Sequence, residues 1–300
     1  MLKKIINKLF STNEWYIGLV KQDIESFINN KELLEIEWVV KPNNIDYYAD
    51  PFFFDETSII FEEFNIENGY GEIKRINFKG EKLPLNGELN SIPAHQSFPF
   101  IFTLGDKKYC IPEMSEFNQV RLYSIENDQL TYCKTLVENF PGIDSTLLYI
   151  NDEFWLFSTH NEQPGSLYIF HSTDLFSVFT SHQSNPIYMN DAISRNAGSP
   201  LIFQNRIYRP VQSCVNFYGE AIVIREITVL NQNEFIECDL FTIQPQDPYR
   251  DGIHTLNYSN GTFVVDGKMS KFSLSTPWRK MKKKMNIKIK TKERELLNGE

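Results

Sequence analysis

Five times along the chain, one or two polar residues open onto a short apolar run, a hydrophilic gap follows, and a second apolar run returns. The copies are Asp50-Pro51-Phe52-Phe53-Phe54, Ser97-Phe98-Pro99-Phe100-Ile101-Phe102, Asp144-Ser145-Thr146-Leu147-Leu148-Tyr149, Gly198-Ser199-Pro200-Leu201-Ile202-Phe203 and Gly252-Ile253-His254-Thr255-Leu256-Asn257-Tyr258. With Pro51, Pro99, Thr146, Pro200 and Thr255 taken as equivalent, successive steps are 48, 47, 54 and 55 residues. That is the period of a propeller blade.

Each repeat supplies two hairpin-linked strands, and the chain between repeats supplies the rest. Turn pairs such as Asn127-Asp128, Asn151-Asp152 and Asn260-Gly261 fall between apolar runs, where tight hairpins need residues that tolerate positive φ. The pattern predicts an all-β, five-bladed β-propeller over residues 13–277. The fifth copy is short, with 256–258, 262–265 and 271–274 as its strands, so a strand at Trp15–Val20 or Glu35–Val40 is expected to close the ring and cover its edge. Residues 1–12 read as a short basic amphipathic helix, residues 23–34 as a further helical turn, and residues 278–300 as a basic tail.

Composition agrees with this picture. The chain is 41% hydrophobic and holds 24 Phe and 14 Tyr, enough for a packed core of pleated surfaces. Its net charge of −9 argues against a nucleic-acid partner, because neutralising phosphates takes a basic face. The four cysteines form no C-x-x-C pair and no His stands near a Cys or another His, so free thiols are expected and neither a metal nor a cofactor is. No apolar run is long enough to span a bilayer, and the apolar start is broken by Asn7 and Lys8. The expected location is the cytoplasm, with anionic membrane contact through 1–12 and 279–294 as one reading of the basic ends and solvated termini as the other.

A closed ring brings the residues that open each repeat to one rim of one funnel. Asp50 and Asp144 stand at matching positions in non-adjacent repeats, the placement that paired-carboxylate sugar chemistry needs. Glu62 and Glu63, and Glu113, end the second strands of their repeats; counted from the apolar run, Glu63 matches Glu113, and one of them offers a proton donor if buried, although each reads equally as an exposed loop carboxylate. His95 and His254 both precede repeat strands. Arg195, Asn196, Arg209 and Gln212 bring hydrogen-bond donors to the fourth repeat, and arginine suits a phosphate or carboxylate through its planar fork.

The ordered motifs Ala49-Asp50-Pro51-Phe52-Phe53, His95-Gln96-Ser97-Phe98-Pro99, Ile111-Pro112-Glu113, Gly142-Ile143-Asp144-Ser145-Thr146, Arg209-Pro210-Val211-Gln212 and Gly252-Ile253-His254-Thr255 resemble the N-terminal domain of plant glucosamine inositolphosphorylceramide transferases and its bacterial stand-alone relatives. The resemblance covers about residues 14–270. That family in turn is similar to the five-bladed propellers of arabinanases, xylosidases, invertases and levansucrases, in which a blade-one Asp and a blade-three Asp flank the sugar. The resemblance implies those roles for Asp50 and Asp144. It departs from them in blade four, where Arg195-Asn196-Ala197-Gly198 stands in place of the hydrolases' acid Glu. Either Glu63 or Glu113 then handles the proton, or the leaving group is a phosphate held by Arg195 or Arg209.

The resulting expectation is a glycosyltransferase-like enzyme of surface glycan or glycolipid assembly, with a sugar donor and a glycan or glycolipid acceptor as partners. Asp50, Asp144, Glu63 and Glu113 would act on the reacting centre; His95, Arg195, Asn196, Arg209, Gln212 and His254 would bind the substrates. An intracellular glycoside hydrolase and a non-catalytic glycan-binding propeller are the alternatives.

Overall fold

The computed structural model describes residues 9–190 and 192–286. In chain order its elements are β1 (Ser11–Lys21), α1 (Ile24–Asn30), β2 (Glu37–Trp38), β3 (Tyr47–Asp55), β4 (Ser58–Phe64), β5 (Gly71–Asn77), β6 (Lys82–Leu83), β7 (Asn86–Gly87), β8 (Ser97–Leu104), β9 (Lys107–Glu113), β10 (Gln119–Glu126), β11 (Gln129–Glu138), β12 (Gly142–Ile150), β13 (Glu153–His160), β14 (Gln163–Ser172), β15 (Thr180–Ser181), β16 (Tyr188–Met189), β17 (Leu201–Phe203), β18 (Arg206–Ser213), β19 (Ala221–Leu230), β20 (Phe235–Ile243), β21 (Leu256–Ser259) and β22 (Thr262–Phe272). Residues 276–286 are helical.

The strands form five antiparallel meanders. β3 to β6, β8 to β11 with β7 at the edge, β12 to β14 with β15 and β16, and β17 to β20 are blades one to four. Blade five is β21-β22-β1-β2. A single parallel pairing, Trp15 with Tyr47, joins it to blade one. The chain is a five-bladed β-propeller closed by its own N-terminal strand.

Both of the expected latch segments take part. β1 pairs with β22 along its whole length, from Ser11 opposite Phe272 to Lys21 opposite Thr262. β2 then pairs with Gly18 and Leu19 and covers that part of the edge of β1. Residues 271–274 are not a separate strand, because the length of β1 keeps Lys271 and Phe272 in β22. The basic N-terminal segment is shorter than its expected 1–12: Ser11 and Thr12 already belong to β1, and residues 1–8 lie outside the described residues. Of the tail, residues 287–300 lie outside them too.

The apolar repeats build the ring by filling the gaps between blades. Phe52 and Ile60 of blade one, Phe98, Phe100 and Ile111 of blade two, and Leu147 and Leu156 of blade three share one buried cluster. Phe27 on α1 packs with Phe263, Ile222 and Leu201 between blades four and five. At the closing seam Asn257 Nδ2 donates to Pro51 O at 2.8 Å. Gly198, at φ 140°, lies so close to β21 that a Cβ there would sit 2.0 Å from Leu256 O. Only glycine fits that approach.

The latch strand should therefore carry stability that its short sequence does not advertise. Ile17→Ala, at a fully buried position of β1, is expected to cost about 2–4 kcal/mol in urea unfolding. Ile202→Ala, at an exposed position of β17, should stay within about 0.5 kcal/mol.

Candidate active site

In each of the first three blades the inner hairpin carries the same irregularity. Register slips between Ala49 and Phe52, between Ser97 and Phe100, and between Ile143 and Thr146. The residue in the bulge has positive φ, 51° at Asp50, 42° at Phe98 and 49° at Asp144. Aspartate tolerates this conformation better than most residues, and a bulge re-aims the side chain it carries. Asp50 and Asp144 are thereby turned into a cavity of about 240 Å³ lined also by Glu62, His95, Glu113 and Arg195.

The freed backbone N–H groups stitch the blades together. Asp50 N donates to Asp266 Oδ2 at 3.2 Å, Phe98 N to Asp50 Oδ2 at 3.3 Å, and Asp144 N to Glu113 Oε2 at 3.1 Å. Thr255 Oγ1 donates to Asp50 Oδ1 at 2.9 Å. His254 lies between two carboxylates, with Nδ1 2.6 Å from Asp266 Oδ2 and Nε2 3.3 Å from Asp50 Oδ1. Its ring stacks on Trp15 with centroids 3.9 Å apart.

The register corrects one expectation. Ala49 pairs with Glu62 and Tyr48 with Glu63, whereas in blade two Ser97, the residue before the bulge, pairs with Glu113. The counterpart of Glu113 is Glu62. A one-residue slip in a strand sends the side chain to the opposite face. Glu63 accordingly leaves the cavity and pairs with Lys82 at 2.8 Å.

Glu62, not the expected Glu63, is therefore the cavity residue of this glutamate pair. It is buried, with Oε1 lacking a hydrogen-bond partner and His95 Nε2 3.8 Å away. Gly71 makes room for it, since a Cβ there would stand 2.2 Å from Glu62 Oε1. Gly71 N donates to His95 Nδ1 at 2.8 Å. That bond makes Nδ1 the acceptor and leaves the ring proton on Nε2, facing Glu62. Burial holds His95 below the usual imidazole range.

The carboxyl groups fall into different electrostatic environments. Burial, with help from Asp50 and Glu113, pushes Glu62 well above the ordinary carboxylate range. Burial and the nearby Asp144 raise Glu113 to about 8, against the pull of Arg195. Burial raises Asp50 to about 6, with His254 opposing the rise. For His254, burial disfavours the imidazolium, but Asp266 and Asp50 outweigh it and the pKa is raised. Asp144 is held by Arg195 Nε at 2.6 Å and by Gln212 Nε2 at 3.2 Å. The site thus sets protonated acids, Glu62 and Glu113, against charge-paired aspartates, the separation that acid–base chemistry needs.

Three expected binding residues stand behind the cavity rather than in its wall. Arg209 is fully buried and spends its guanidinium on Glu237, on Asn196 Oδ1 and on Ile193 O. Asn196 Nδ2 donates to Asp144 O at 2.7 Å and Phe157 O at 3.1 Å. Gln212 reaches Asp144 and Asn196 O. Burial keeps them from a substrate, and their hydrogen bonds fix the backbone and carboxylate of Asp144. Arg195, stacked 5.0 Å over Tyr218, is the cavity's arginine.

Asp50, His254 and Asp266 also bring ligand atoms within 4.8 Å of one another. A cation there would have to displace the imidazole proton, and the raised His254 pKa favours keeping it. A second hollow, about 350 Å³ around Phe53, Phe102 and Tyr258, lies at the other end of the inner strands, with Asp55, Glu56 and Lys108 as its charged residues.

The family model described as glucosamine inositolphosphorylceramide transferase 1, N-terminal, matches residues 38–255, a span that contains the bulges and all the cavity carboxylates. The chain belongs to this family. Glucosamine inositolphosphorylceramide transferase 1 of Arabidopsis thaliana is 28% identical over 213 residues, covering 66% of this chain, and that of Oryza sativa subsp. japonica is 30% identical over 210 residues, covering 65%. The chain spans 28% of the length of these curated relatives. Among solved structures, the α-L-arabinofuranosidase PaAbf62A of Podospora anserina superimposes with a TM-score of 0.50 at 9% identity, over 76% of this chain and 94% of that one, a likeness of fold.

The raised carboxyl pKa values have a thermodynamic consequence. A folded state that holds the protons of Asp50, Glu62 and Glu113 more tightly than the unfolded chain is favoured at low pH and loses that stability as pH rises toward 8. Each such group contributes up to about 1.4 kcal/mol per pH unit between its two pKa values. Urea midpoints at pH 5 and pH 8 should differ less in Glu113→Gln than in the wild type; an unchanged difference contradicts the assignment.

Proposed function

We propose that the propeller is a glycosyltransferase-like enzyme that moves a sugar from a phosphate-activated donor to a glycolipid acceptor in its axial cavity. One observation carries this reading: Glu62 and Glu113, buried and held above the ordinary carboxylate range, share one cavity with Asp50 beside His254 and Asp144 beside Arg195. Membership of the transferase family supports the choice of a transfer reaction.

Asp50, with a pKa near working pH and backed by the His254 and Asp266 pair, takes the proton from the acceptor hydroxyl as its oxygen attacks the anomeric carbon. The bond from that carbon to the donor's phosphate oxygen breaks, and the phosphate leaves with the electron pair. Glu113 or Glu62 gives the leaving oxygen a hydrogen bond, and Arg195 offsets its charge. Asp144, pinned by Arg195, Gln212 and the Asn196 bond to its carbonyl, orients sugar hydroxyls. The same acid and base arrangement also fits a glycoside hydrolase with water in place of the acceptor, and product analysis separates the two.

Activated sugar donors incubated with lipid acceptors and the full chain should give glycolipid detectable by mass spectrometry. Asp50→Asn and Glu62→Gln are each expected to lower kcat by about 10²–10⁴, while Glu63→Gln leaves it unchanged. The rate should rise through pH 6 and fall through pH 8. Release of free sugar would favour the hydrolase, and sugar binding without any product would remove both enzymatic readings.

A further inference from the structure

The helical stretch 276–286 is built inside out. Its polar residues face the propeller: Arg279 Nη2 meets Asp46 Oδ2 at 2.6 Å, Lys280 Nζ reaches Ser11 O at 2.9 Å, and Asn286 donates to Glu67 O. Lys283 stands over the Phe64 ring and forms part of the cavity wall. Its apolar residues face outward. Trp278, Met281 and Met285, at spacings that align them on one helical face, are 69%, 47% and 57% exposed. Just upstream, Phe272 and Leu274 are exposed as well.

A helix on a globular protein ordinarily turns its apolar stripe to the core. Here ion pairs with Asp46 and Glu67 hold the reverse orientation. The charge is as lopsided as the hydropathy: no acidic residue occurs from 267 to 292 in a chain of net charge −9, and the exposed Lys284 stands beside the apolar stripe. A tryptophan and methionines bracketed by lysines match a bilayer interface with anionic headgroups. Lys283 belongs to the cavity wall, so the helix that carries the outward apolar stripe also borders the cavity.

We propose that this helix is an interfacial foot that seats the propeller on an anionic membrane, with the sugar cavity open to the headgroup layer. The inference deepens the glycolipid reading and rests on it only for the route of the acceptor.

The test is sedimentation of the full chain with vesicles of phosphatidylcholine alone and of phosphatidylcholine with about one third phosphatidylglycerol. The chain should bind the anionic vesicles, and added salt should weaken the binding. The triple variant Trp278→Gln, Met281→Gln, Met285→Gln uses a good helix former at exposed positions, so its far-UV circular dichroism should be unchanged. Its partitioning should fall about tenfold or more. Failure of the wild type to bind anionic vesicles, or equal binding by the variant, overturns the proposal. So does a wild-type dimer that the substitutions convert to monomer, which would assign the stripe to a second copy. Vesicle binding is read without sugar or turnover, so a chain that binds but transfers nothing keeps the foot and loses the transferase reading.

Discussion

The structure depends on one constraint, the turning of an aspartate into a crowded axis by a bulge whose backbone N–H then serves the next carboxylate. Asp50 N on Asp266, Phe98 N on Asp50 and Asp144 N on Glu113 form a relay from blade five through blade three. Positive φ at a non-glycine residue costs of order 1–3 kcal/mol. The packing of Phe52, Phe98 and Phe100 between blades holds the conformation in place. Function and closure are therefore the same contacts: loosening a blade withdraws a hydrogen bond from a carboxylate in the cavity.

This arrangement explains how so many acids share a small space. Two of them, Glu62 and Glu113, avoid repulsion by keeping their protons. Asp50 is screened by the His254 imidazole and Asp144 by Arg195. Behind Asp144, the buried Arg209 and Glu237 pair anchors Asn196 and through it the aspartate's own carbonyl. Removing one member of such a buried pair is strongly destabilising, because the other charge is left without compensation.

The ring itself was legible in the sequence, since inner hairpins recur with turn residues at fixed offsets and their apolar runs alternate faces. Asp50, His95, Asp144, Arg195 and His254 could be placed at one rim for the same reason, and all five line the cavity, as does Glu113 from the end of a second strand. What the pattern hid is local. The bulge adds a residue that periodicity does not record, so counting from the apolar run landed on Glu63 instead of Glu62. Arg209, Asn196 and Gln212 carry the polar chemistry of a binding site, yet their depth is set by long-range packing against Glu237 and Asp144. The reversed helix at 276–286 was equally hidden, because its orientation depends on Asp46 and Glu67, more than 200 residues away in sequence.

The central claim is that the axial cavity keeps acids and bases apart by environment. Side-chain carboxyl ¹³C titration by NMR, with resonances assigned through Glu62→Gln, Glu113→Gln and Asp50→Asn, tests it directly. The account predicts that the Glu113 signal moves near pH 8, that Asp50 moves near pH 6, and that Glu62 stays protonated well above the ordinary carboxylate range. Ordinary titration of all three near pH 4 would contradict it.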